Sequence, residues 1–149
     1  KSFRNLRKGT MKIKKITEVG VAVRDLEKST RHFVDVLGAK PKEIITVKRY
    51  QMRYRMCRLG QVDFEIMEPI GDEGIMADFI KKRGEGLHHV AFGVESLGQT
   101  LTFLKERGVR LIDQKPQDLH GAKFAFVHPS SFSGVMIELI EYPEGFDLP

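Results

Sequence analysis

The sequence of 149 residues has a single cysteine, Cys57. One thiol cannot close an intramolecular disulfide, so the fold does not rely on an oxidising compartment, and cytoplasm is the default expectation. No apolar run approaches the roughly 18 residues needed to span a bilayer, and the opening Lys1-Ser2-Phe3-Arg4 lacks the apolar stretch of a secretory signal, so no membrane association is expected. A charge excess of one sign is also nearly missing. The 25 Lys and Arg against 20 Asp and Glu give +5, but Lys1, Arg4, Arg7 and Lys8 supply four of those charges, which leaves 21 basic against 20 acidic residues in 11–149. A basic arm without interleaved aromatics or a docking motif does not favour nucleic acid. Residues 1–10 precede Met11 and read as a cloning remnant, an alternative start or a flexible arm. Residues 11–149 are expected to form a single domain.

What the chain does contain is an internal repeat. Ile16-Thr17-Glu18-Val19-Gly20-Val21-Ala22-Val23 aligns with Leu87-His88-His89-Val90-Ala91-Phe92-Gly93-Val94 at an offset of 71. Both stretches alternate large apolar with small or polar residues, the period of a strand. Each is followed by helical spacing, Leu26 to Leu37 ending at Gly38 and Leu97 to Arg107 ending at Gly108, with the glycines placed as helix C-caps. Three further strands are predicted after each helix: about 42–47, 49–59 and 62–69 in the first half, and 109–114, 122–128 and 135–142 in the second. The expectation is an α+β fold of two βαβββ modules, about 13–70 and 86–142, joined by a short helix near 74–82.

Strand parity separates the faces. Val19, Val21 and Val23 point one way and Glu18, Gly20 and Ala22 the other; Val90, Phe92 and Val94 oppose His89, Ala91 and Gly93. The large residues can pack on helices, and the small ones leave room in front of the sheet. In the last strand of each module Glu65 and Glu138 occupy comparable places at an offset of 73. Glu138 lies in an otherwise apolar run, where a carboxylate must be neutralised or find a cation. Glu18, Glu65, His89 and Glu138 therefore form a candidate metal set. Three carboxylates and one imidazole suit Mn, Co, Ni, Fe or Mg, and Zn accepts the same donors. His88 has the opposite parity and reads as a supporting or structural residue, His32 as a surface residue, and His120 and His128 as loop residues near strand ends.

With these residues in place, the chain resembles the vicinal-oxygen-chelate (glyoxalase, bleomycin-resistance, dioxygenase) superfamily, and within it the methylmalonyl-CoA epimerases. The resemblance is carried by Val19-Gly20-Val21-Ala22-Val23-Arg24-Asp25-Leu26-Glu27, Glu65-Ile66-Met67-Glu68-Pro69, the run from Lys82 through Gly84-Glu85-Gly86-Leu87-His88-His89 to Phe92, and the run from His120-Gly121-Ala122-Lys123 to Leu139. It implies a half-open eight-stranded barrel with helices outside, a divalent metal ion, a homodimer, and an acyl-CoA as the small-molecule substrate. By position, Glu65, His89 and Glu138 match family metal ligands, and Glu138 also matches a proton-transfer base. Glu18 departs from the usual histidine.

The implied reaction is metal-assisted abstraction of the proton α to a thioester carbonyl, with Glu138 and Glu65 as acid/base groups on opposite sides. The stretch Val47–Met56 has no acid. On strand parity Tyr50, Met52 and Tyr54 share one face, either a core face or the lining of a substrate pocket, and Arg49, Arg53 and Arg55 share the other, either solvated or meeting CoA phosphates or a partner. The alternatives to an epimerase are a glyoxalase-type isomerase or lyase, or a non-enzymatic small-molecule binding module.

Overall fold

The computed structural model describes residues 11–146; the N-terminal segment 1–10 and residues 147–149 lie outside the described residues. The first module runs β1 (Ile13–Ala22), α1 (Leu26–Asp35), β2 (Lys40–Val47), β3 (Met52–Leu59) and β4 (Val62–Pro69). After α2 (Ile75–Arg83) the second runs β5 (Gly86–Val94), α3 (Leu97–Glu106), β6 (Gln117–Leu119), β7 (Ala122–Val127) and β8 (Ile137–Glu141). The α+β expectation and both βαβββ series hold, with strand order β2-β3-β4-β1-β5-β8-β7-β6. The described residues cluster into two compact units, Ile16–Ala91 and Phe92–Phe146, the latter together with residues 11–15. Among the described residues no helix is long and apolar enough to cross a membrane.

In the unit Ile16–Ala91, β1 lies parallel to β4 with Val19 opposite Phe64 and Val21 opposite Ile66. Val21, Phe64 and Ile66, with Val23 and Cys57, pack against Leu26 and Phe33 of α1, and the Phe33 and Phe64 rings sit 5.2 Å apart. Leu26, Cys57 and Ile66 have no exposed surface. Burial pushes the Cys57 thiol pKa up and holds it as an apolar core group. The first turn of α1 is closed by Asp25, whose Oδ1 accepts from the Lys28 N–H at 2.9 Å. Gly38, at φ +70°, donates its N–H to the Val34 carbonyl at 3.0 Å just past the helix, the left-handed turn expected of it.

The other face of this sheet is covered by α2. Ala22, Val47, Met52, Tyr54 and Met67 form one buried cluster with Met76 and Ile80. β3 begins later than its sequence pattern suggested. Lys48–Tyr50 form a single 3-10 turn that ends in Gln51 at φ +49°, so strand parity does not extend to Arg49 and Tyr50. Arg53 pairs with Glu68, and Arg55 Nη1 lies 3.7 Å from Glu27 Oε2, so both arginines of β3 facing α1 are in ion pairs.

In the unit containing Phe92–Phe146, Val94, Ala125, Val127 and Leu139 pack on Leu97, Leu101 and Leu104 of α3. The strand expected at 109–114 is absent for a local reason. The Asp113 carboxylate accepts the Phe126 N–H at 2.8 Å, while the N–H groups of Ile112 and Asp113 both reach the Phe126 carbonyl. That side chain takes the place of a ladder partner, leaving a single bridge between Leu111 and Val127. The short β6 supplies the remaining strand.

One device recurs in both modules. The first N–H of α1, at Leu26, donates to Glu68 Oε1 at 3.3 Å, and the first N–H of α3, at Leu97, donates to Glu141 Oε2 at 3.2 Å. A carboxylate there satisfies an otherwise open donor and complements the positive end of the helix. Each tether comes three residues after Glu65 or Glu138 on the same strand. Glu141→Ala is expected to destabilise the fold by about 0.5–2 kcal/mol, read as a lower urea midpoint at unchanged m-value, whereas Ile66→Ala should cost about 2–5 kcal/mol through its cavity.

Candidate metal centre

The centre starts from three adjacent strands in the order β4-β1-β5. In the β1–β4 register Glu18 is opposite Asp63 and Gly20 opposite Glu65. Gly20 stands between Glu65 on one neighbour and His89 on the other, and its missing side chain is essential there. A Cβ at position 20 would fall 2.2 Å from His89 Cε1 and 2.3 Å from Nδ1. The imidazole therefore lies over the backbone of β1, and its Nε2 comes within 3.4 Å of Glu65 Oε2. The room in front of β1 is filled by this ring.

Glu18, Glu65, His89 and Glu138 are 9, 9, 4 and 8% exposed, and one ligand atom from each lies within 4.8 Å of all the others. Two donors on one ion at about 2.1 Å are at most about 4.2 Å apart, so this spread is within side-chain adjustment of a common ion. Three buried carboxylates this close repel one another when ionised, a repulsion that a cation between them would relieve. The donor set fits a divalent ion and carries formal −3 against its +2. Four oxygen and nitrogen donors leave coordination positions for a substrate on a five- or six-coordinate ion.

Other polar groups near the set are already paired. Asp63 is held by Arg58, with Nε to Oδ1 at 2.6 Å and Nη2 to Oδ2 at 3.1 Å, and Lys42 Nζ lies 3.5 Å away. His88 Nδ1 lies 2.9 Å from His89 Nδ1, and the His88 ring packs edge-on to Phe79 of α2, centroids 4.8 Å apart. Burial, then repulsion from His89 and Arg83, pushes the His88 pKa down to about 3, so it is neutral at pH 7. Strand parity assigned His88 to the far face and missed this contact; the adjacent His-His pair was the available signal. Of the residues considered for a substrate pocket, Met52 and Tyr54 are 8 and 5% exposed within the cluster beneath α2. Tyr50 lies at that cluster's edge with the Arg49 guanidinium 4.7 Å above its ring. His128 caps its own turn, its Nδ1 accepting from the Ser130 N–H at 3.1 Å.

The chain belongs to the glyoxalase/bleomycin resistance protein/dioxygenase superfamily, whose family profile matches residues 17–126. Mitochondrial methylmalonyl-CoA epimerase of Bos taurus is 32% identical over 127 residues, covering 84% of this chain and 73% of the relative. The uncharacterized protein YqjC of Bacillus subtilis is 33% identical over 132 residues, covering 88% and 94%. The crystal structure of a hypothetical protein from Bacillus halodurans superposes with a TM-score of 0.85 at 33% identity, covering 89% of this chain and 97% of that one.

Gly20→Ala tests the centre directly. Its methyl group would displace a ring that is buried and held by neighbours on both sides, so Mn2+ affinity, followed by loss of the free-ion EPR signal, should fall about tenfold or more. Unchanged affinity would mean that His89 is not a ligand.

Proposed function

We propose that this chain is a divalent-metal-dependent epimerase that removes and returns the proton α to a thioester carbonyl, with an acyl-CoA of the methylmalonyl type as substrate. The convergence of Glu18, Glu65, His89 and Glu138 carries the reading, and the epimerase relatives at about this identity support it. A divalent ion held by these four groups would supply Lewis-acid stabilisation of negative charge developing on a carbonyl oxygen.

The chain's own residues supply the proton transfers. Inverting a stereocentre needs an acid/base group on each side of the planar carbanionic intermediate. Glu138 takes the proton on one side and Glu65, its counterpart in the other module, returns one on the other. Both carboxylates are largely buried, which excludes water that would compete for the carbanion. A homodimer and a cytoplasmic setting belong to the same proposal.

The discriminating experiment is proton–deuterium exchange at C2 of methylmalonyl-CoA in heavy water with Mn2+ present. Exchange well above background is expected, and Glu138→Gln and Glu65→Gln should each slow it by about 10²–10⁴-fold. Metal loading without exchange would move the assignment to an isomerase or lyase of the same superfamily. Absence of any bound divalent ion by elemental analysis would leave a binding module.

A further inference from the structure

We infer that His88 is a positioning residue for the metal centre: its Nδ1 accepts the proton of His89 Nδ1 and so fixes His89 in the tautomer whose Nε2 is free to bind the ion. This rests on the metal reading of the site and adds to it a residue outside the ligand set.

The geometry allows few arrangements. At 2.9 Å, Nδ1 to Nδ1, one nitrogen must carry the hydrogen and the other the lone pair. His89 Nε2 faces Glu65 Oε2 at 3.4 Å and is the nitrogen on the ligand side. To coordinate, Nε2 must be unprotonated, which places the hydrogen of a neutral His89 on Nδ1 and makes His88 Nδ1 the acceptor. His88 then carries its own hydrogen on Nε2. An unconstrained neutral histidine favours the proton on Nε2, the wrong nitrogen for this ligand, so the acceptor does necessary work.

His88 is itself held. Its ring meets Phe79 edge-on, and Phe79 lies under the Arg83 guanidinium at 5.7 Å. Phe79 is partly buried and packs on the cluster that seats α2 against the sheet. A line of contacts thus runs from the C-terminal turn of α2 through Phe79 and His88 to His89 and Glu65, all within Ile16–Ala91. His89 is fixed from both sides, over Gly20 by the space available and at Nδ1 by a hydrogen-bond acceptor.

The test is long-range 1H–15N spectroscopy of the histidine side chains in the wild-type chain, metal-free and loaded with Zn2+ as a diamagnetic probe, combined with Zn2+ affinity of two variants. His88 should show a protonated Nε2 and a bare Nδ1 in both states, and His89 in the loaded state a protonated Nδ1. His88→Phe keeps a ring against Phe79 but removes the acceptor, and should weaken Zn2+ binding about 10–100-fold. His88→Asn, whose Oδ1 can accept near the place of Nδ1, should recover most of that loss; a purely space-filling role would predict the reverse order. A proton on His88 Nδ1 in the wild type overturns the inference whether or not the variants fold. So does wild-type Zn2+ affinity in a folded His88→Phe. Failure of the wild-type chain to bind Zn2+ or Mn2+ removes the metal reading itself, and this inference with it.

Discussion

The imidazole of His89 reaches Glu65 only because β1 has no side chain at Gly20. Neighbouring strands are about 4.8 Å apart, and the Glu65 carboxylate on β4 and the His89 imidazole on β5 are separated by all of β1. A single methyl group at position 20 would sit 2.2 Å from the ring, so the glycine sets the width of the centre. The parallel pairing of β1 and β4 then fixes Glu65 directly beside that gap and Glu18 one pleat away. The close approach of donors follows from strand register, with no long or mobile loop needed to deliver them. An arrangement built on sheet backbone is held to tight tolerances, which suits groups that must share one ion.

The two helices on the first module's sheet divide its labour. α1 packs on the large residues Val21, Phe64 and Ile66, as the alternation of β1 and β4 required. α2 lies on the face that also carries Glu65, burying Met52, Tyr54 and Met67. That face is consequently part core and part site, and the boundary runs between Met67 and Glu65. The residues of β3 whose pattern was equally consistent with a pocket wall are mostly committed to the helix. Arg53 and Arg55, on the opposite side, are occupied by Glu68 and Glu27.

Much of this was legible in the chain because it is duplicated. The 71-residue offset between the strands of Glu18 and His89, and the 73-residue offset between Glu65 and Glu138, made parity arguments worth more than either half alone, and the four donors lie together as that parity implies. The readings that failed depended on local hydrogen bonds that periodicity does not encode. Asp113 caps the backbone of β7 and suppresses a strand at 109–114. Gln51 adopts a left-handed conformation and takes Tyr50 off β3. The purpose of Gly20 was half visible: its smallness promised space, but which neighbour would fill that space depends on the order of strands. Simple alternation puts His88 and His89 on opposite faces and does not anticipate the 2.9 Å between their Nδ1 atoms.

The paired glutamates Glu68 and Glu141 carry a consequence for how such a centre can change over time. Each fastens the start of its own helix to the end of the strand that carries Glu65 or Glu138, through a backbone contact that involves no ion. Because the helix starts are held by Glu68 and Glu141 and not by Glu65 and Glu138 of the same strands, the latter two positions can change without loosening those tethers. A change at Glu65 or Glu138 would then alter the charge of the cluster while these two helix tethers stay in place. Diversification of chemistry on one frame is then an expected outcome of its construction.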